Sequence, residues 1–181
     1  MTLALREPAL PAIPVIETER LRLRAPRLSD FDAYAAFCAS PRSAGVGGPY
    51  SRGDAFQRFA ALIGHWALRG FGRFMVADRA SDAPLGVVGP MHPIEWPEPE
   101  IAWSVFDHAE GRGVAHEAAL AARRFAYETL RWSTAVSLTA PDNLRSQALA
   151  RRLGCERDGV FEHPEFGALL IWRHPAPEAA R

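Results

Sequence analysis

The sequence contains no lysine, so all 21 of its basic residues are arginine. This excludes the phosphate loop that ends in Gly-Lys-Ser/Thr. We otherwise read the arginine bias as GC-rich codon usage, without functional weight. Net charge is absent as well, because 21 Asp and Glu balance the arginines. No global field therefore draws the chain to nucleic acid or to an anionic membrane, and any bound anion needs a local site. Cysteine is scarce: Cys38 and Cys155 lie in apolar contexts without metal-ligand spacing. A disulfide framework and a metal are not expected, and the two thiols read as small buried hydrophobes in a reducing cytoplasm. Residues 1–14 lack the apolar core of a secretory signal, and no run approaches the length that crosses a bilayer.

What is present suits one domain. The chain has 181 residues, 48% of them hydrophobic, enough for a single core over 15–175, with an N-terminal extension at 1–14 and a tail at 176–181. Leu21, Leu23 and Ala25 alternate with Arg20, Arg22 and Arg24, the period of a half-buried strand. Ser29 with Asp32, and Ser51 with Asp54, resemble capping boxes. They open a helix carrying Phe31, Tyr34, Ala35 and Cys38, and a second with the stripe Phe56, Phe59, Ile63 and Trp66. Between the two helices lies a glycine-rich loop, Gly45 to Gly48. Three β-prone runs, Phe71 to Ala77, Leu85 to Met91 and Glu100 to Phe106, read as a meander. From Ala115 to Leu130, small apolar residues share one face opposite Glu117, Arg124 and Glu128. A strand at Thr134 to Thr139 and a helix capped by Asp142 or Asn143 follow. That helix stops at Gly154, and a strand at Leu169 to Trp172 comes last. The order predicts an α/β (α+β) fold with a mixed, mostly antiparallel twisted sheet of six to seven strands and about four flanking helices.

One segment points to chemistry. In Glu110, Gly111, Arg112, Gly113, Val114 and Ala115, two glycines stand between a strand and the strongest helix. Glycine lets successive N–H groups aim at one point, and a helix start adds free donors and partial positive charge. A pyrophosphate can thus be held without lysine, with Arg112 as an ionic partner. The same glycines also suit a tight strand-to-helix turn. A dinucleotide fingerprint fails, because His116 occupies the place of its third glycine.

The run resembles the phosphate-binding motif Gln/Arg-x-x-Gly-x-Gly/Ala of the GNAT acetyltransferases. Gly113 and Ala115 match its last two defined positions, and Glu110 departs from its first. Thr18, Glu19, Arg20 and Leu21 look like the opening of the ribosomal-protein-alanine acetyltransferase branch. Asn143, Ser146, Leu153 and Gly154 fit its Asn-x-x-Ser and Leu-Gly-Phe patterns, with Cys155 replacing the aromatic. The likeness spans Ile16 to Trp172. It implies a splay between the strand at Glu100 to Phe106 and the next strand, with acetyl-CoA lying in the gap. The backbone of Val105 and Phe106 would hold the pantetheine arm, the amides of Gly111, Arg112, Gly113, Val114 and Ala115 the pyrophosphate, and Asn143 and Ser146 the region of the thioester.

Acetyl transfer needs a base for the amine and stabilisation of the oxyanion, and it is helped by an acid for the thiolate. Glu100 is our candidate base, and a solvated strand-end charge is the alternative. For the acid, many relatives offer a tyrosine seven residues after the Asn, where this chain has Ala150; Ser146 is the substitute, unless it only bonds backbone. His108 and His163 are further base candidates or exposed bystanders. Trp96, Trp103 and Trp132 line an acceptor cleft or fill core. Arg145, Arg151 and Arg152 meet the 3′-phosphate or form a solvated face. The 93–99 loop shapes a cleft or a homodimer contact. Two functions follow: an N-acetyltransferase for a primary amine (a peptide N-terminus or a small molecule), or a lapsed acyl-CoA-binding sensor or scaffold of the same fold.

Overall fold

A computed structural model describes residues 12–177; most of the expected N-terminal extension, 1–11, and residues 178–181 lie outside it. The chain opens with the short strand β1 (Ile16–Glu17), which pairs antiparallel with β2 (Leu21–Arg24). Leu21 and Leu23 are buried, as their alternation requires. Arg24, expected on the wet face, is buried too. Asp30 grips its guanidinium in two bonds of 2.8 and 2.9 Å and Asp82 adds a third at 3.0 Å, so the charge is paired where it is desolvated.

Asp30 also replaces the expected Ser29–Asp32 cap. It closes a 3-10 turn, Leu28–Asp30, by accepting the Arg27 amide at 2.8 Å, and helix α1 (Phe31–Ala39) follows directly. Helix α2 (Arg52–Arg69) begins as expected: Ser51 Oγ accepts the Asp54 N–H at 3.1 Å, and Gly70 ends the helix at φ 74°. Its buried face is Ala55, Phe59, Leu62 and Trp66, turned slightly from the expected stripe, and Phe56 is left 46% exposed.

Strands β3 (Phe74–Asp78), β4 (Pro84–Met91) and β5 (Glu100–Val105) form the antiparallel meander. Helix α3 (Val114–Glu128) crosses to β6 (Val136–Thr139), α4 (Leu144–Arg152) follows, and the hairpin β7 (Glu156–His163) and β8 (Gly167–Arg173) closes the sheet. Ala118, Ala119, Ala122 and Ala126 are fully buried, and side chains this small let α3 lie close on β4 and β5. Gly154, at φ 78°, ends α4 in the left-handed conformation expected. The opposite face of the sheet is covered by α1 and α2, where Met75, Val87 and Phe106 meet Tyr34, Phe37 and Phe59.

The sheet has the order β1-β2-β3-β4-β5-β6-β8-β7, and only β5 and β6 are parallel. It is the expected mixed, mostly antiparallel class. Among the described residues there are eight strands and four α-helices, with β1 and β7 the additions to the six or seven strands expected. No helix among these residues is long and apolar enough to cross a membrane.

Candidate active site

The site arises where β5 and β6 part. The two strands share one paired position, Glu100 with Val136. Beyond it, side chains substitute for the backbone ladder. Glu100, which is buried, accepts the Leu138 N–H of β6 at 3.0 Å and the Trp96 indole N–H at 2.5 Å. Ser137 Oγ donates to the Ile101 carbonyl at 2.6 Å and lies 2.9 Å from His174 Nε2, while Arg123 Nη1 lies 3.4 Å from His174 Nδ1. Burial, helped by the Arg123 charge, holds His174 down at about 3. The ring is therefore neutral, with Nε2–H donating to Ser137 and Nδ1 accepting from Arg123. The parting is thus held open by a satisfied polar chain and not by a missing contact. It widens into a cleft of about 720 Å³ lined by β5, the start of α3, α4 and the loop before α2.

At one end of this cleft stand Gly111 and Gly113, both left-handed at φ 72° and 78°. The first helical bond of α3 runs from Glu117 N to Gly113 O, and the amides of residues 111–116 donate to no group among the described residues. The loop is braced from outside. Arg20 donates to the Arg112 carbonyl at 2.9 Å and to Glu117 at 2.7 Å, and Thr18 donates to Glu117 at 2.6 Å. Burial alone would raise the Glu117 carboxyl, but these bonds outweigh it and hold it below the usual range. Glu117, expected on the wet face, is thus the post to which the opening strand ties the glycine loop.

Glu110, one residue upstream, faces two arginines. It pairs with Arg42 Nη1 and, at 2.8 Å, with Arg145 Nη1, so its charge is neutralised across the cleft mouth. Arg42 also reaches Asp107 at 2.6 Å. Across the cleft, Asn143 accepts the Ser146 N–H at 3.1 Å and so caps α4. A Cβ on Gly45 would come within 2.8 Å of the Asn143 amide nitrogen, which explains a glycine in that loop. Trp103 donates to Ser146 Oγ at 3.2 Å.

A family model described as an acetyltransferase (GNAT) domain matches residues 20–156. The chain belongs to the GNAT family. An acetyltransferase from Agrobacterium tumefaciens is 38% identical, with 94% of this chain and 99% of that one covered and a TM-score of 0.83. A Bordetella pertussis protein named as a candidate GnaT-family acetyltransferase is 27% identical, covering 90% and 99% with a TM-score of 0.75. The coenzyme A complex of RimL, a ribosomal L7/L12 α-N-protein acetyltransferase, shares the fold at 16% identity, 90% and 98% coverage and a TM-score of 0.71.

Within this GNAT fold, Glu100, Val105, Gly111, Gly113, Val114, Ala115, Asn143 and Ser146 all line the one cleft. Phe106 does not. Its amide donates to Leu85 O at 2.9 Å and its ring is buried beside Phe37, because the strand alternation turns its backbone toward β4. The same alternation turns the backbone of Trp103 and Val105 toward the gap. Arg112 is exposed on the far side of its loop. His108 is exposed and bonds Pro84 O, whereas His163 is buried, with Nδ1 accepting from Glu165 and Phe166 amides and Nε2 facing Glu95 at 3.3 Å. Trp96 and Trp103 line the cleft; Trp132 packs on Phe71 away from it. Arg145 and Arg152 line it, while Arg151 lies over the Trp172 ring. Arg42, Arg58, Arg73 and Phe166, also cleft residues, carry no motif and were invisible to sequence reasoning.

Glu110 yields a prediction. Replacing it by Gln removes a negative charge beside the glycine loop and frees Arg145, and the Nη1 edge of Arg42, for an incoming anion. The KM for acetyl-CoA is expected to fall about three- to tenfold, with the gain shrinking as salt is raised. Steady-state kinetics at two ionic strengths would measure it. A rise in KM instead would mean that the carboxylate serves to tie α4 to the loop before α2.

Proposed function

We propose that the protein moves the acetyl group of acetyl-CoA to a primary amine, a peptide N-terminus or a small-molecule amine, by direct attack within the cleft. The observation that carries this reading is the single gap between β5 and β6, with unpaired amides at one end and Glu100 and Ser146 along it. The amides of 111–116 would take the pyrophosphate, and the open edge of Val105 and Trp103 the pantetheine arm.

In the reaction, the amine nitrogen attacks the thioester carbon, the C–N bond forms, and collapse of the tetrahedral intermediate breaks the C–S bond. Glu100 takes the amine proton through water; burial pushes its carboxyl up, against the bonds from Leu138 and Trp96, which makes it a stronger base than an ordinary carboxylate. The Ser146 hydroxyl hydrogen-bonds the departing thiolate and relays a proton to it from cleft water, which restores the hydroxyl in the same step. Its oxygen already accepts from Trp103, so its own hydrogen is left to point into the cleft. An amide on the open strand edge stabilises the oxyanion. Glu110, paired with two arginines, does not oppose an anionic cofactor by its charge.

Thiol release from acetyl-CoA with a panel of amines tests the proposal. Turnover is expected, and Ser146→Ala should lower kcat by about tenfold with little change in acetyl-CoA affinity, the low end for an acid because a coenzyme A thiolate leaves readily. Calorimetric binding of acetyl-CoA with no turnover on any amine would instead identify the sensor.

A further inference from the structure

Three arginines of the cleft are left without a carboxylate; one, Arg152, is exposed on α4, and the other two are Arg58 and Arg73. Among the described residues, the guanidinium groups of Arg58 and Arg73 form no ion pair and no hydrogen bond, while Arg42 and Arg145 are paired. Arg73 is half-buried. A guanidinium drawn out of water ordinarily finds an anion, since desolvation without a partner is costly. Arg58 is held in place by stacking on the Tyr50 ring, 3.8 Å from its centroid.

The position of Arg73 separates it from the pyrophosphate end. β5 runs from Glu100 to Val105, about 17 Å away at the rise of a strand. The glycine loop follows Val105. Arg73, by contrast, precedes β3, with its Cα 2.9 Å from where a Cβ of Gly89 would lie, and Gly89 pairs with Ala102. Its charge acts on Glu100, the candidate base, at the other end of the strand. Arg73 has the parity of Met75, which faces α1 and α2, so Arg73 and Arg58 of α2 reach the cleft from the same side of the sheet. Met91, Trp96 and Phe166 add apolar surface to the cleft lining, with the Trp96 and Phe166 rings 6.1 Å apart.

We propose that Arg73, with Arg58, is an anion-binding subsite for the acceptor, so that the amine acetylated here belongs to a molecule that also carries a carboxylate. The inference rests on the acetyltransferase reading and names its substrate class. Planar guanidinium groups match carboxylates in a bidentate fork, and such a contact places the amine as well as holding it. Two sources carry this chemistry: a peptide N-terminus followed by acidic side chains, and a small amino acid.

The test uses two matched pairs. One is an amidated tetrapeptide with two Asp after its first residue against the same peptide with two Asn; the other is β-alanine against its amide. The acidic member of at least one pair is expected to show a KM about tenfold lower, and which pair does so identifies the source. Arg73→Gln should raise that KM about tenfold and leave the neutral partner unchanged, with Arg73→Lys between. Equal KM values within both pairs would overturn the proposal. So would an Arg73→Gln variant that keeps the KM preference for the acidic acceptor, whatever it does to kcat and the pH profile through Glu100. A binding arm separates this proposal from the reaction itself. Protein loaded with coenzyme A is titrated with N-acetylated acidic and neutral peptides and with N-acetyl-β-alanine and its amide. Preference for an acidic form, lost in Arg73→Gln, supports the subsite even where no acceptor turns over; equal binding within both pairs sinks it.

Discussion

Glu100→Gln is expected to lower kcat by about 10²- to 10³-fold while the protein still folds, an effect within the range of a lost general base. The side chain sits where β6 leaves β5 and has two donors to satisfy, Leu138 N and Trp96 Nε1. A glutamine oxygen reaches only one of them and its amide opposes the other, so one buried N–H loses its acceptor, at about 1–3 kcal/mol. Urea unfolding at fixed pH should show this cost as a lower midpoint with an unchanged slope. Two pH signatures then separate wedge from base. For stability the sign follows from the raised carboxyl. The folded group stays protonated above its ordinary value near 4.5, where the unfolded chain has ionised. The stabilisation is complete below that value and is lost as pH rises through the folded one. The stability margin of the native protein over Glu100→Gln should therefore narrow with rising pH. For catalysis, kcat/KM of the native enzyme should climb with pH through the raised carboxyl, and that limb should vanish in the variant. A variant that loses stability but keeps its rate and profile would leave Glu100 a wedge only.

The elements that the sequence made legible are those whose side chains repeat with the backbone period. The alanine face of α3, the Ser51 cap and the left-handed Gly154 are local chemistry, and local chemistry reads off neighbours. β7 was missed because Glu156, Arg157, Asp158 and Gly159 offer no apolar alternation; the strand exists by pairing with β8 at the sheet edge. Of the site, the glycine loop stood out by position, whereas the splay came only with the family resemblance. Nothing in a lone Glu before Ile101 says that it is buried between two strands. The cleft arginines were hidden for a further reason: in a chain whose every cation is arginine, residue type cannot mark the few that lack a partner, and only three-dimensional pairing separates Arg73 from Arg24. The pairing that neutralises Glu110 was hidden for the same reason, since its partners lie 68 and 35 residues away in sequence.

Gly113→Val is expected to weaken acetyl-CoA binding by about 10²-fold. Two effects contribute, and they can be separated. At φ 78° any residue with a Cβ pays about 1–2 kcal/mol, and a β-branched one more. The nearest atom to the new Cβ would be Arg20 Nη2 at 3.3 Å, the far end of a flexible side chain, so the fold should survive with a lowered melting temperature. Relief of the strain rotates the peptide and turns the amides of 113–115 away from their common point. Loss of two charge-assisted bonds at about 1.5 kcal/mol each amounts to roughly two orders of magnitude in affinity. Asparagine tolerates the left-handed region, so Gly113→Asn should recover most of the binding if backbone aim is what matters. Pantetheine, which lacks the pyrophosphate, supplies the control: its affinity should be the same in all three proteins. Were Gly113→Val to bind acetyl-CoA as the native chain does, the free amides of this loop would have no pyrophosphate to hold, and the orientation of the cofactor along β5 would have to be reversed.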